Sequence, residues 1–229
     1  MTVALQVLLE DNHCIAVAKP APLLTQAPPG VPSLEALVKA YLKEKHGKPG
    51  NVYLGVPHRL DRPVSGVVLF ARNSKSAACL AEQFRERTVV KTYWGIVEGE
   101  IEPACGVWED WLRKAGDEAR AERTDERAEG AKFASLHYRV IEKSSVGTFV
   151  VFAPTTGRMH QIRVQAASRG HPLLGDALYG STCPFGPAPD LPRDRIIALH
   201  ARSLTFLHPL RYDPVTVAAP LPDYWERRS

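Results

Sequence analysis

The chain has 229 residues and a formal net charge of +4, and 45% of its residues are hydrophobic. That is enough chain for one substantial hydrophobic core. No apolar run is long enough to span a bilayer and the first residues lack a secretory signal pattern, so we expect a cytoplasmic protein without membrane contact. The four cysteines show no Cys-x-x-Cys spacing, which indicates free thiols and excludes a zinc ribbon or disulfide framework.

The first part of the chain predicts two strands, a helix, a buried strand and a second helix. Residues 7–20 contain two short strand patterns around an Asp-Asn turn. Ser33 can cap a helix whose apolar residues recur at helical spacing. The apolar run 67–71 is typical of a buried strand, and a second helix is expected to begin at Ser74 or Ser76.

The rest of the chain predicts mainly strands. They are expected in the segments 89–97, 134–141, 148–153, 196–207 (as a pair) and 215–217. A helix is predicted after Gly157, and the charged segment 101–132 is interpreted as a solvated excursion or a hairpin without chemistry. Many short strands, few helices and no regular βαβ alternation favour an α+β domain.

Segment 58–66 places a carboxylate between two cations, just before the predicted buried strand. Pro63 fixes its own φ and small residues follow it, so Asp61 is expected on a turn at the mouth of the strand. The flanking Arg59 and Arg62 would favour an ionised Asp61, which could act as a nucleophile or base. An aspartate that only caps a turn fits the same segment, and the local chemistry leaves both interpretations open.

The same segment, His-Arg-Leu-Asp-x-x-x-Ser-Gly, resembles the catalytic signature of the RluA-type RNA pseudouridine synthases. Further segments similar to that family follow in order. They are residues 91–93, 97–99, 157–163, 170–176, 178–180, 199–201 and 208–209. The ordered set spans residues 7–222, and it is far more specific than any one motif.

The resemblance implies a mixed, mostly antiparallel sheet with flanking helices and a basic cleft. It implies a single catalytic domain over residues 1–229, without the S4-type module that precedes this domain in many related proteins. The implied enzyme is an isomerase that converts specific uridines of ribosomal or transfer RNA to pseudouridine. Because nothing is oxidised and no group is donated, no cofactor is expected, and the histidines lack the spacing of a metal site. The expected partner is RNA, bound by a monomer.

The resemblance also assigns site residues. Asp61 would be the catalytic aspartate, attacking the nucleotide covalently or acting on the sugar, and Arg163 would be its ion-pair partner. Tyr93 would stack on the uracil and take the C5 proton. Without the resemblance, Arg163 could be a surface helix arginine and Tyr93 a core aromatic. The expected RNA-binding residues are His58, Arg59, Arg62, Arg158, His160 and Gln161.

Three positions depart from the family pattern. Val64 and Met159 stand where the family has threonine, and Gln165 stands where histidine is frequent. None of them removes a residue of the implied catalytic set. They put the fine hydrogen bonding and the choice of RNA in question.

Two other classes of protein compete with the synthase. One is a catalytically idle RNA-binding protein of the same fold, and the other is a nucleoside or glycoside hydrolase. A glycosidase normally needs a second carboxylate, and only Asp176 stands in a motif-like setting. The presence of Asp61, Tyr93 and Arg163 together favours the synthase.

Overall fold

The computed structural model describes residues 5–225, which divide into two compact units. The first unit comprises the described residues up to Val90 together with Ala201–Pro222. The second comprises Lys91–His200 and the described residues from Asp223 onwards. The single catalytic domain over residues 1–229 stays a prediction.

The described residues form ten strands and three α-helices. The strands are β1 (Gln6–Glu10), β2 (Cys14–Lys19), β3 (Ser65–Ala71), β4 (Val90–Val97), β5 (Cys105–Lys114), β6 (Ala121–Thr124), β7 (Lys132–Ser144), β8 (Gly147–Pro154), β9 (Leu199–Leu207) and β10 (Pro214–Ala218). The helices are α1 (Leu34–Lys45), α2 (Ser74–Arg85) and α3 (Gln161–Ala167). No helix among the described residues is long and apolar enough to cross a membrane.

The first unit is built on the strand order β1-β2-β3-β9, with β10 paired to β9. Every residue of β3 is buried, which confirms the strand predicted from the run 67–71. The strand pair predicted in residues 7–20 is also confirmed, because β1 and β2 pair antiparallel. The Ser33 side chain caps α1, as predicted, by accepting a hydrogen bond from the Ala36 N–H. Helix α2 begins at Ser74, and the side chain of Asn73 caps it.

The second unit contains the strand order β4-β8-β7-β5-β6, and each of these neighbours is antiparallel. The predicted pair around residues 134–141 and 148–153 is confirmed as β7 and β8. The charged segment 101–132 forms the hairpin of β5 and β6. Its interpretation as a solvated excursion is wrong in part, since Trp108, Asp110 and Leu112 are buried. Their burial follows from β-strand alternation, which turns every second residue of β5 inward.

The architecture is therefore α+β, with a mixed, mostly antiparallel sheet and few helices, as the sequence predicts. The prediction is wrong for segment 196–207, which contains the single strand β9 and not a pair of strands. The basic cleft that the resemblance implies stays a prediction.

Candidate active site

Asp61 lies in the first unit, on the turn that leads into β3. The turn is closed by a hydrogen bond of 3.1 Å from the Val64 N–H to the Asp61 carbonyl, and Asp61 is half-buried. Gly66, the second residue of β3, has φ +123°, and a Cβ at this position would lie 2.3 Å from the carbonyl oxygen of Ala201. A side chain cannot be accommodated there, so glycine allows the strand to start directly after the turn.

A buried lysine holds the backbone around this turn. Lys19, at the end of β2, is only 1% exposed, and its Nζ donates to the carbonyls of Pro20 (3.2 Å), Leu23 (2.7 Å) and Arg62 (3.2 Å). Burial lowers the pKa of Lys19 from 10.5 to about 7, whereas the negative charge of Asp61 acts to raise it. Sequence reasoning missed this residue. The available signal was a lysine at the end of a strand whose other residues are mostly apolar.

A second set of hydrogen bonds joins the loop after β2 to the Asp61 turn. The Thr25 hydroxyl donates to the Leu60 carbonyl (2.9 Å) and accepts from the Leu60 N–H (3.0 Å), and the Leu23 N–H donates to the Arg62 carbonyl (3.2 Å). Thr25 is 2% exposed, so both Leu60 groups are satisfied away from solvent. The residues on both sides of Asp61 are thus fixed through their main chain.

The RNA-binding residues predicted in this segment have different surroundings. His58 accepts a hydrogen bond from the Leu69 N–H at Nε2 (2.9 Å), and its ring stacks on Phe84 at 4.5 Å. Its Nε2 therefore carries no proton in this arrangement. Arg59 is exposed and Arg62 is half-buried. Contacts of His58, Arg59 and Arg62 with RNA stay predictions.

Tyr93 and Arg163 lie in the second unit, on regular elements. Tyr93 is half-buried on β4, where it pairs in register with Phe152 of β8. Arg163 is 4% exposed on α3 and forms two hydrogen bonds to Asp176, from Nε to Oδ2 (2.7 Å) and from Nη2 to Oδ1 (2.8 Å). The guanidinium also lies 4.9 Å from the ring centre of Tyr179. A bidentate pair of this kind fixes both the position and the plane of the arginine.

The start of α3 and the turn before it hold three further residues predicted to bind RNA. Gln161 is 5% exposed; its Oε1 accepts from the Arg158 N–H (3.0 Å) and its Nε2 donates to the Ser135 carbonyl (3.0 Å). The Nε of Arg158 donates to the Phe133 carbonyl (2.8 Å). His160 has φ +51°. These contacts shape the turn, and RNA contacts of Arg158, His160 and Gln161 stay predictions.

The predicted catalytic residues are thus distributed over both units. Tyr93 and Arg163 belong to the second unit and Asp61 belongs to the first. Within its own unit, Arg163 is paired with Asp176. The ion pair of Arg163 with Asp61 stays a prediction.

Comparisons with known proteins agree with these motifs. The family model described as RNA pseudouridylate synthase matches residues 13–168. The chain belongs to the RluA-type RNA pseudouridine synthases. An uncharacterized RNA pseudouridine synthase of Synechocystis is 33% identical over 98% of this chain and 68% of its own length. The ribosomal large subunit pseudouridine synthase D of Xylella fastidiosa is 34% identical over 96% of this chain and 67% of its own length.

A solved structure shares the fold of this chain. The solved structure of the human RNA pseudouridylate synthase domain containing 4 matches with a TM-score of 0.77. It covers 96% of this chain and 90% of that chain at 24% identity, so it shows the fold alone. RNA pseudouridine synthases are isomerases that act on RNA, and the predicted class of enzyme is thereby confirmed.

The three departures from the pseudouridine synthase pattern are accommodated locally. Val64 is 2% exposed, and Gln165 is fully buried with its Nε2 donating to the Trp108 carbonyl (3.0 Å) and to Asp110 Oδ2 (2.7 Å). Met159 packs against an apolar cluster formed by Leu112, Ala121, Ala134 and Val164. The side chain at each of the three positions therefore makes contacts inside the fold of this synthase.

One group of residues has the composition of a metal site. Among residues 5–225, Asp11, Cys14 and His208 bring possible ligand atoms within 4.8 Å of one another. However, His208 Nδ1 accepts from the N–H groups of Leu210 (3.2 Å) and Arg211 (3.1 Å), while Nε2 lies 2.7 Å from Asp11 Oδ2. Nε2 therefore carries the proton and offers no lone pair to a metal. Burial also raises the pKa of Cys14 to about 12. The group is better explained as a structural tie within the first unit.

Proposed function

We propose that this protein isomerises uridine to pseudouridine in large-subunit ribosomal RNA, with Asp61 as the catalytic carboxylate. Membership of the family supports the reaction, and relatives named ribosomal large subunit pseudouridine synthases support the class of RNA. The observation that carries the role of Asp61 is the buried ammonium of Lys19. A buried charge is costly, and here one of its three hydrogen bonds holds the carbonyl of Arg62, next to Asp61, while the other two hold Pro20 and Leu23 in the loop after β2.

In this proposal Asp61 is ionised and attacks the nucleotide or acts on the sugar. The bond between uracil N1 and ribose C1′ breaks, the base turns, and C5 bonds to C1′. Tyr93 stacks on the uracil and accepts the proton that C5 loses, while N1 gains a proton. Arg163 supplies the positive charge that keeps Asp61 ionised. Action as a monomer in the cytoplasm belongs to the same proposal.

The target uridine has to leave a stacked helix, because a base within the stack is out of reach of these side chains. His58, Arg59 and Arg62 flank the proposed catalytic residue in sequence, and Arg158, His160 and Gln161 precede or begin α3. We propose that these residues contact the RNA backbone or the gap that the extruded base leaves. Exposed Arg59 is the best placed of them to bind a phosphate, since a solvated guanidinium can donate two parallel hydrogen bonds.

A hydrolase is disfavoured by the surroundings of Asp176. Both carboxylate oxygens of this residue accept hydrogen bonds from Arg163, and the residue is 2% exposed. A general acid must hold a proton and present it to a leaving group. Asp176 is committed to the arginine, so it does not supply the second carboxylate.

Asp61→Asn tests the proposal. The substitution keeps the side-chain shape but removes the charge, and an amide oxygen is a very poor nucleophile. We expect a folded variant that binds RNA within about tenfold of wild type but releases no tritium from C5-labelled uridine, because binding rests on other contacts. Asp213→Asn is the control, since Asp213 is a carboxylate of the same unit that pairs with Arg211 (3.0 Å).

The assay combines tritium release, filter binding and a thermal melt, with large-subunit ribosomal RNA, transfer RNA and total RNA as substrates. Undiminished release by folded Asp61→Asn would refute Asp61 as the catalytic group. Release from transfer RNA alone would overturn the proposed substrate. No release by wild type from any RNA would favour the idle RNA-binding protein.

A further inference from the structure

Arg163 is a cation in a nearly inaccessible place. It is 4% exposed, and a buried charge is tolerated only when good partners replace its water. Asp176 provides two charge-assisted hydrogen bonds, and the face of Tyr179 lies 4.9 Å from the guanidinium carbon. The carboxylate and the aromatic ring therefore restrict the guanidinium in different directions.

Asp176 is itself anchored by its backbone. Its N–H donates to the Leu173 carbonyl (3.0 Å), and its own carbonyl accepts from the N–H groups of Tyr179 (3.0 Å) and Ser181 (3.1 Å). The preceding Gly175 has φ +82°, and a Cβ there would lie 2.5 Å from the Ile196 carbonyl oxygen. The carboxylate is thus mounted on a tight turn with little freedom to move.

Tyr179 is fixed at its hydroxyl end. The hydroxyl oxygen accepts from the Ala121 N–H (2.9 Å), and its O–H donates to the Ala121 carbonyl (3.1 Å). His160 Nδ1 lies 2.9 Å from the same oxygen. Because the single hydroxyl proton goes to the Ala121 carbonyl, Nδ1 of His160 must be the donor in its contact. The ring that faces Arg163 is therefore anchored to the main chain of β6.

We propose that Asp176 and Tyr179 are positioning residues that hold the guanidinium of Arg163 in one orientation during the isomerisation. This inference rests on the proposed function, in which Arg163 supports the catalytic carboxylate. Neither residue touches the reacting atoms in this proposal; both act through Arg163. Two oxygens fix the guanidinium plane, which a lysine ammonium at position 163 would not reproduce.

The second unit offers matched controls for both residues. Asp110 is another buried carboxylate, paired with Arg169 (2.8 Å) and Gln165 (2.7 Å) but not with Arg163. Tyr138 is a buried tyrosine of the same unit, and its hydroxyl donates to the Pro103 carbonyl (3.1 Å), whereas Tyr179 is half-buried. Asp110→Asn and Tyr138→Phe remove comparable internal contacts elsewhere in the unit. The loss of activity in these two control variants therefore measures how much of each effect comes from removing an internal contact alone.

The experiment separates turnover from binding and from folding. At saturating RNA, Asp176→Asn should lower the single-turnover rate of tritium release about 100-fold, because a misplaced catalytic group costs about that much. Tyr179→Phe should lower the same rate about fivefold, which corresponds to the net contribution of about one hydrogen bond. The RNA dissociation constants should stay within about twofold, because the substitutions act through Arg163. Each control variant should keep its rate within about threefold when corrected for folded protein.

A double-mutant cycle tests whether the effect passes through Arg163. In an Arg163→Lys background the bidentate pair is already lost. Adding Asp176→Asn should therefore lower the single-turnover rate by less than about threefold. The proposal would be overturned if Asp176→Asn lowered the rate as much in the Arg163→Lys background as it does in wild type. Equal losses of rate in Asp176→Asn and Asp110→Asn would overturn it as well. If Asp176→Asn does not fold, Tyr179→Phe against Tyr138→Phe decides in the same way. If wild type itself releases no tritium, the proposed function falls together with this inference. If wild type and Asp176→Asn release it equally, only this inference falls.

Discussion

The two units present their proposed catalytic residues on different kinds of backbone. Asp61, in the first unit, stands on an irregular turn, whereas Tyr93 and Arg163, in the second, stand on strand β4 and helix α3. The turn has no repeating hydrogen-bond ladder of its own. It is held instead by Lys19 and Thr25, which bind main-chain groups around it.

The second unit needs fewer ties to its main chain, because the ladder of β4 and β8 and the turns of α3 already fix the backbone. There the partners act on side chains, as Asp176 does on Arg163. A functional turn thus depends on contacts to its backbone. A functional strand or helix residue depends on contacts to its side chain. Each of the following substitutions tests one side of that difference.

Among these substitutions, the largest effect is expected from Tyr93→Phe. The register of Tyr93 with Phe152 should hold the ring in place, so stacking and RNA binding should survive. Loss of the hydroxyl should lower tritium release about 100-fold or more, which is the usual worth of general acid–base catalysis. Single-turnover assays beside filter binding measure both quantities, and Tyr138→Phe is the control. Full activity would leave Tyr93 as a stacking residue only.

Lys19→Met tests the main-chain ties of the first unit through the pH dependence of stability. The pKa of Lys19 is about 7 in the fold and 10.5 in the unfolded chain, so between these values the unfolded chain binds more protons. The free energy of unfolding should therefore rise with pH in this window, by up to about 1.4 kcal/mol per unit, and Lys19→Met should remove this rise. Below pH 7, Lys19 should not contribute to the pH dependence of the free energy of unfolding.

Urea denaturation of both proteins from pH 7 to pH 10 measures the difference. Lys75→Met, which removes an exposed lysine of α2, is the control and should keep the wild-type slope. Parallel curves for wild type and Lys19→Met would show that the ammonium is not buried beside the Asp61 turn.

Local patterns predicted much of this fold. The cap at Ser33, the start of α2 and the pairing of β7 with β8 depend on residues close in sequence, and all three are found. The place of Asp61 ahead of β3 likewise follows from Pro63 and the apolar run behind it. Such signals can be interpreted without tertiary structure.

Long-range polar contacts could not be predicted in this way. Asp110 lies in a highly charged segment, but it is buried because Gln165 and Arg169, more than 50 residues away, bind it. Lys19 is similar, since one of its acceptors belongs to Arg62. The sequence marks these residues as polar, and charged residues lie mostly on the surface. Only the fold shows their partners.

Thr25→Val tests the second tie to the Asp61 turn. The substitution leaves the buried N–H and carbonyl of Leu60 without the hydroxyl, and the free energy of unfolding should fall by ~2–4 kcal/mol. Tritium release per folded molecule should also fall, by roughly tenfold, because the turn loosens. Thr25→Ser keeps the hydroxyl and is the control. Equal behaviour of the two variants, measured by urea denaturation and turnover, would contradict a tie through the hydroxyl.

The smallest effects concern two arginines predicted to bind RNA, which differ in how far they are engaged in the fold. Arg59 is exposed, whereas Arg158 is half-buried and donates from Nε to the Phe133 carbonyl (2.8 Å). Each phosphate contact adds about one unit to the slope of log affinity against log salt. Arg59→Ala should therefore lower the slope by about one unit without a change in melting temperature.

Arg158→Ala should lower that slope by less than about one unit and should also reduce the melting temperature, because it removes an internal hydrogen bond. Filter binding between 50 and 200 mM salt, run beside thermal melts, gives both values; these salt limits are roughly those over which such slopes are well resolved. Lys39→Ala is the control, since Lys39 is paired with Glu35 on α1 (2.6 Å) and belongs to none of the family motifs in the sequence. The reverse result, with the larger slope change in Arg158→Ala, would mean that RNA displaces the Phe133 contact. A functional arginine of the second unit would then be freed by its substrate and not held by its fold.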